Sequence, residues 1–96
     1  MFERKGVIMR IREGFVVKEI AGQYVVVALG AASKIFNGII MLNETGKFIW
    51  ELMAEGIEKE DLLAKFMAEY NVSEAEAKED IRVFIQTLLD NGIAEL

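Results

Sequence analysis

The sequence has 96 residues, enough for a single domain with one modest hydrophobic core. Its net charge is −5, so a free domain of this kind is expected to repel the phosphate backbone of nucleic acids. It contains no cysteine and no histidine, which excludes disulfides, thiol nucleophiles, iron–sulfur clusters and zinc-finger ligands. We therefore expect no cofactor and no metal. Hydrophobic residues make up 53% of the chain, an excess that argues against disorder and suggests an apolar surface for a partner.

No targeting or membrane segment is visible in the sequence. The charged N-terminus is not followed by the apolar stretch of a signal peptide. The longest apolar run, Tyr24 to Leu29, is far shorter than the roughly 20 residues that a membrane helix needs. We therefore expect a cytoplasmic domain without membrane contact.

The first half of the chain has the composition of short β-strands. Residues 15–20 and 24–28 are rich in valine and aromatic residues, and the short segment 21–23 between them suits a hairpin turn. A looser stretch, 30–34, follows. Residues 39–42 then read as a third strand after the Asn-Gly turn signal.

The second half has helical spacing and clear helix boundaries. Asn43 is a good N-cap for the first helix, and Gly56 is placed to end it. A second helix runs from about Glu58 to Tyr70. Ser73 and Glu76 form a capping box that opens the third helix. Strands followed by helices predict an α+β domain over residues 1–96, in which residues 1–14 are either an irregular N-terminal arm or ordered chain.

We find no constellation of residues that would support catalysis. Lys18 and Glu19 are neighbours on a strand, so their side chains point to opposite faces and cannot act as an acid–base pair. Glu76, Glu79 and Asp80 could in principle bind a hard metal ion, but their helical spacing is typical of a solvated face. The chain is therefore not expected to be an enzyme.

Two features suggest binding instead. The third strand, 39–42, follows a loose segment that can leave one of its edges unpaired, and an unpaired edge can accept an extended peptide. On the third helix, Asp80, Val83 and Thr87 flank the apolar stripe, where Val83 with Phe84 could line a shallow groove. The alternatives are a strand paired on both sides and an ordinary boundary valine.

Several segments of the chain form an ordered set: Phe15–Ile20 with Gly22, Phe36–Ile40, Leu42–Gly46, Ile49–Leu52, Glu69–Ser73, Asp80–Ile81, Phe84–Ile85 with Leu88, and Asn91–Ile93. In this order and spacing they resemble the family of coenzyme PQQ synthesis protein D (PqqD). The resemblance covers roughly residues 14–95. One departure is Glu58, which stands where the family often has a threonine cap.

The resemblance implies a winged-helix-like fold of three antiparallel strands followed by three helices. It also implies a recognition element for ribosomally synthesised and post-translationally modified peptides (RiPPs). In such elements the leader of the precursor peptide adds as a strand to the third strand and is clasped against the third helix. Carried over to this sequence, the implied peptide-binding residues are Asn37, Gly38, Ile39, Ile40, Met41, Asp80, Val83, Phe84 and Thr87.

The implied function is that of a non-catalytic peptide chaperone. It would present the precursor to a radical S-adenosylmethionine (SAM) enzyme or another modifying enzyme, with PQQ or a different RiPP as the product. A winged-helix DNA-binding regulator is the alternative, although residues 73–92 carry two basic and five acidic side chains, a local charge of −3. A structural or dimerisation module is the third reading, and a homodimer stays open.

Overall fold

The computed structural model describes residues 6–96. Residues 1–5, the start of the predicted N-terminal arm, lie outside the described residues. Within this range there are ten elements: β1 (Ile8–Ile11), β2 (Phe15–Ile20), β3 (Gln23–Ala28), a 3-10 helix (Gly30–Lys34), β4 (Ile40–Leu42), α1 (Glu44–Ala54), β5 (Ile57–Glu58), α2 (Lys59–Glu69), α3 (Glu74–Asp90) and β6 (Ala94–Glu95). The predicted α+β class, with strands preceding helices, is confirmed.

The three predicted strands form one antiparallel sheet in the order β2-β3-β4. Ile20 pairs with Gln23, so the hairpin turn consists of only two residues. Both of them, Ala21 and Gly22, have positive φ angles, 53° and 81°. This is the backbone of a type I′ turn, whose twist matches that of the two strands. The looser stretch after the hairpin forms the 3-10 helix.

A second antiparallel sheet, in the order β5-β1-β6, was not predicted. β1 lies within the segment that the sequence left undecided, and it pairs with β5 through Met9 and Ile57. It also pairs with β6, in the segment that looked like a simple tail, through Ile11 and Ala94. β5 and β6 are two residues long, so their pairing depends on contacts far apart in sequence rather than on a local pattern.

The helix ends follow the predicted caps. The Asn43 side chain accepts a hydrogen bond from the Gly46 amide at the start of α1. Ser73 and Glu76 form the reciprocal capping box of α3. Glu58 precedes α2 without a side-chain capping bond, as its departure from the family pattern suggests. No helix within residues 6–96 combines the length and the apolar character needed to cross a bilayer.

One cluster of buried side chains connects both sheets to all three helices. α3 contributes a stripe of four residues, Ala77, Ile81, Ile85 and Leu88. Trp50, the single tryptophan of the chain, is 4% exposed in this cluster. Ile93 is fully buried and Ala94 is 4% exposed, so the segment that follows α3 contributes to the core.

We predict that Ile93→Ala lowers the free energy of unfolding by about 2–5 kcal/mol, because it leaves a cavity beneath β1 and β6. Leu96→Ala is the matched control, since Leu96 lies in the same segment but is 70% exposed. It should change stability by no more than about 0.5 kcal/mol. Urea denaturation of both variants checks this, and equal, small losses would contradict the buried position of Ile93.

Candidate functional site

The site is built on the free edge of β4. Within the described residues, β4 is paired only with β3, through Ile40–Val26, Met41–Val25 and Leu42–Tyr24. In an antiparallel strand, alternate residues direct their N–H and C=O groups to the two sides. The side of β4 away from β3 therefore presents backbone donors and acceptors that a further strand can use.

α3 forms the opposite wall of a groove along this edge. Asp80, Val83, Phe84 and Thr87 lie at i, i+3, i+4 and i+7, which places them on one side of the helix. The groove between them and β4 has a volume of about 520 Å³. Its lining consists of Ile40, Met41, Leu42, Asn43, Thr45, Gly46, Ile49, Asp80, Val83, Phe84, Thr87 and Leu88. Val83 is 48% exposed, although it is apolar.

Gly46 makes room for the aromatic ring at the end of the groove. A Cβ atom at this buried position would lie 3.1 Å from Phe84 Cε1 and 3.1 Å from Asn43 Oδ1. The Asn43 oxygen accepts from the Gly46 amide at 2.8 Å and from the Thr45 hydroxyl at 3.1 Å. The cap of α1 therefore fixes the turn that leaves β4, and the missing side chain at Gly46 lets Phe84 approach it.

Asp80 is the one charged residue that lines the groove within the described part of the chain. Its neighbour Glu79 is engaged elsewhere, because Arg82 donates two hydrogen bonds to it at 3.1 and 2.7 Å. These bonds lower the pKa of Glu79 below its usual value. The Thr87 hydroxyl donates to the Val83 carbonyl at 3.0 Å, so its oxygen can still accept a hydrogen bond from a ligand. The groove is thus apolar, with an anionic group at Asp80.

The structure brings six of the nine predicted peptide-binding residues into one groove: Ile40, Met41, Asp80, Val83, Phe84 and Thr87. The other three, Asn37, Gly38 and Ile39, precede β4 in an exposed irregular segment and do not line the groove. Their role stays a prediction.

The sequence analysis did not assign the end of β4 and the first turn of α1 to the site. Asn43, Thr45 and Gly46 all line the groove. A usable signal was present, because a glycine in the first turn of a helix costs about 1 kcal/mol relative to alanine and needs a packing reason.

No group of three acidic, histidine or cysteine side chains within residues 6–96 is arranged to hold a metal ion.

Comparison with known proteins gives one family match and two similar solved structures. The family model for coenzyme PQQ synthesis protein D (PqqD) matches residues 7–94. TbiB1 in complex with the TbiA(beta) leader peptide is 26% identical, with a TM-score of 0.71, and the match covers 90% of this chain and 94% of that one. A lasso peptide synthetase B1 complexed with its leader peptide is 23% identical, with a TM-score of 0.71 and coverage of 92% and 98%. No curated protein sequence matches the chain.

We predict that Asn43→Ala destabilises the domain by about 1 kcal/mol, because the Gly46 amide loses its capping acceptor. Asn43→Ser should recover most of this loss, since serine caps helices about as well as asparagine. Thermal unfolding of the three proteins measures the effect. Failure of serine to recover stability would show that Asn43 acts through contacts other than the cap.

Proposed function

The chain belongs to the PqqD family, and we propose that it is a RiPP recognition element that binds the leader segment of a precursor peptide in the groove between β4 and α3. Its family membership supports this function. So does the similarity to TbiB1, whose structure contains a leader peptide. The observation that carries the proposal is the free edge of β4 facing Val83 and Phe84 of α3 across one groove.

The leader would bind mainly through its backbone. An extended segment that adds to the β4 edge exchanges main-chain hydrogen bonds with alternate residues of the strand. Such bonds do not depend on the leader's side chains, so they supply affinity without much selectivity. Within this binding mode, Asn37, Gly38 and Ile39 would extend the contact beyond Ile40 and Met41.

Selectivity would come from the α3 wall. Alternate side chains of an added strand point to the same face, so every second leader residue is directed towards Val83 and Phe84. An apolar leader side chain at this position would gain about 1.5–3 kcal/mol if its burial were complete. Thr87 and Asp80 add a hydrogen-bond acceptor and an anion beside these residues.

In this role the chain itself is not a catalyst. It would hold the precursor for a separate enzyme, a radical SAM protein or another peptide-modifying enzyme, in a pathway that leads to PQQ or to a different RiPP. The cytoplasm is the proposed compartment, because a ribosomally made precursor is first available there. The comparisons contain nothing that favours the alternative of a DNA-binding regulator.

Leader titration followed by nuclear magnetic resonance tests the function. The nitrogen-15-labelled domain is mixed with synthetic leaders of precursors encoded by short reading frames beside its gene. We expect one of them to shift the amide signals of residues 37–42 and 80–87 while the rest of the spectrum stays in place. A folded domain whose spectrum does not change with any leader would contradict the proposal.

Val83→Glu tests the α3 wall. A carboxylate at this position would be desolvated by the bound leader, so we expect the affinity to fall by about 10-fold or more without unfolding. Met67→Glu is the matched control, because Met67 is also an exposed apolar residue on a helix, 36% against 48% exposed, but lies outside the groove. Calorimetric titration distinguishes the two. Equal leader affinity in both variants would show that Val83 does not contact the leader.

A further inference from the structure

The face of the β2-β3-β4 sheet that points away from the core is also apolar. Side chains alternate between the two faces of a strand, so the pairing register assigns each residue to one side. The inner side carries Phe15, Val26 and Leu42, which are at most 8% exposed. The opposite side, here called the outer face, carries five apolar residues: Val16, Ile20, Val25, Val27 and Met41.

No part of the core covers the outer face within the described residues. The inner-side residues that are not fully buried, such as Val17 and Ile40, pack against the core cluster, whereas the five outer-face residues do not belong to it. Ile20 and Met41 are 54% and 58% exposed. An antiparallel sheet with one solvated face normally alternates apolar and polar residues, so the water-facing side should be polar. A contiguous apolar side is typical of an interaction surface.

The charges on the outer face argue against a second copy of the chain as its partner. Lys18 and Gln23 are its polar residues, and no aspartate or glutamate shares the face. A second copy would therefore bring no carboxylate to meet Lys18, and an ammonium group covered without a partner is costly. Each copy would also bring a net charge of −5. A different protein, with an apolar patch that carries a carboxylate, fits this surface better.

The outer face is continuous with the peptide groove. Met41 belongs to both, because it lines the groove and projects from the outer side of β4. A leader strand added at the β4 edge would widen the sheet by one strand, and half of its side chains would extend the outer face. A protein seated here would touch both the domain and the bound leader. It would thereby distinguish the loaded from the empty domain.

We propose that the outer face is the docking surface for the peptide-modifying enzyme, which contacts it through an apolar patch with a carboxylate opposite Lys18. This inference rests on the proposed function, because the enzyme is the protein that must reach a leader held at β4. The domain then uses the edge of one sheet for the peptide and the outer face of the same sheet for the enzyme.

The test uses the purified modifying enzyme encoded beside this chain and the synthetic leader of its precursor. The double variant Ile20→Thr/Val25→Thr keeps a β-branched side chain at both positions, which favours the strands, but makes the face polar. We expect it to bind the enzyme at least about 10-fold more weakly and the leader within about 2-fold of the unchanged domain. Lys18→Glu should weaken enzyme binding as well, whereas Met67→Gln, away from the sheet, should leave it unchanged.

The outcomes separate the two proposals. Loss of enzyme binding with intact leader binding supports the docking surface. Intact enzyme binding in the double variant and in Lys18→Glu, with leader binding also intact, overturns the docking surface and leaves the proposed function standing. Absence of leader binding in the unchanged domain overturns the proposed function itself. Sedimentation that shows a concentration-dependent dimer, lost in the double variant, would assign the face to a second copy and overturn the enzyme as its occupant.

Discussion

The groove depends on the way α3 is anchored to the core. An α-helix turns by about 100° per residue. Burial of the stripe formed by Ala77, Ile81, Ile85 and Leu88 therefore fixes the directions in which the other side chains leave α3. The residues next to the stripe on one side must then face β4. Burial of the three large side chains of the stripe, Ile81, Ile85 and Leu88, contributes about 1.5–3 kcal/mol each, so the wall of the groove is held in place before a ligand binds. A preformed wall reduces the ordering cost that a flexible peptide already imposes on binding.

An unpaired strand is a hazard as well as a binding site, because it can pair with any other exposed edge. Two features limit that hazard. β4 has only three residues, so a chance partner gains few hydrogen bonds. The α3 wall stands beside the edge and admits a single extended strand more readily than the edge of a folded sheet. In the proposed function, the wall that selects the leader would thus also exclude unwanted pairing, and the net charge of −5 makes copies of the chain repel one another.

The sequence predicted those parts of the fold that are formed by residues close to one another in the chain. The caps at Asn43 and Ser73 and the first hairpin could be read directly, because each involves residues within a few positions of one another. The second sheet could not, since its three strands lie far apart in the sequence and are brought together by the burial of residues such as Met9 and Ile93. Neither residue stands in a segment whose own pattern indicates a strand.

In the site as well, features formed by neighbouring residues could be predicted, whereas those formed by residues far apart in the sequence could not. Val83 could be singled out from the sequence because an apolar residue on the polar side of a helix is visible in the 3.6-residue period. Gly46 stands out only as a glycine within a helix, and the reason for it, the approach of Phe84 on another helix, could not be predicted from the sequence. The outer face required the pairing register, which assigns Val25 and Met41 to the same side of neighbouring strands. Composition indicated only that an apolar surface existed; the register shows where it lies.

In the proposed function, the two binding surfaces of the domain belong to one sheet. The edge of β4 would bind a peptide through backbone N–H and C=O groups, whereas the outer face would bind a protein through side chains. Occupants of the two surfaces would therefore not compete for the same atoms. Met41 lies where they meet. A leader bound in this way would become part of the surface that the proposed second partner covers, and this contact would raise the affinity of that partner for the loaded domain. By reciprocity, the partner must then strengthen leader binding by the same factor. Such coupling needs no conformational change, only the contact that each ligand makes with the other across the strand.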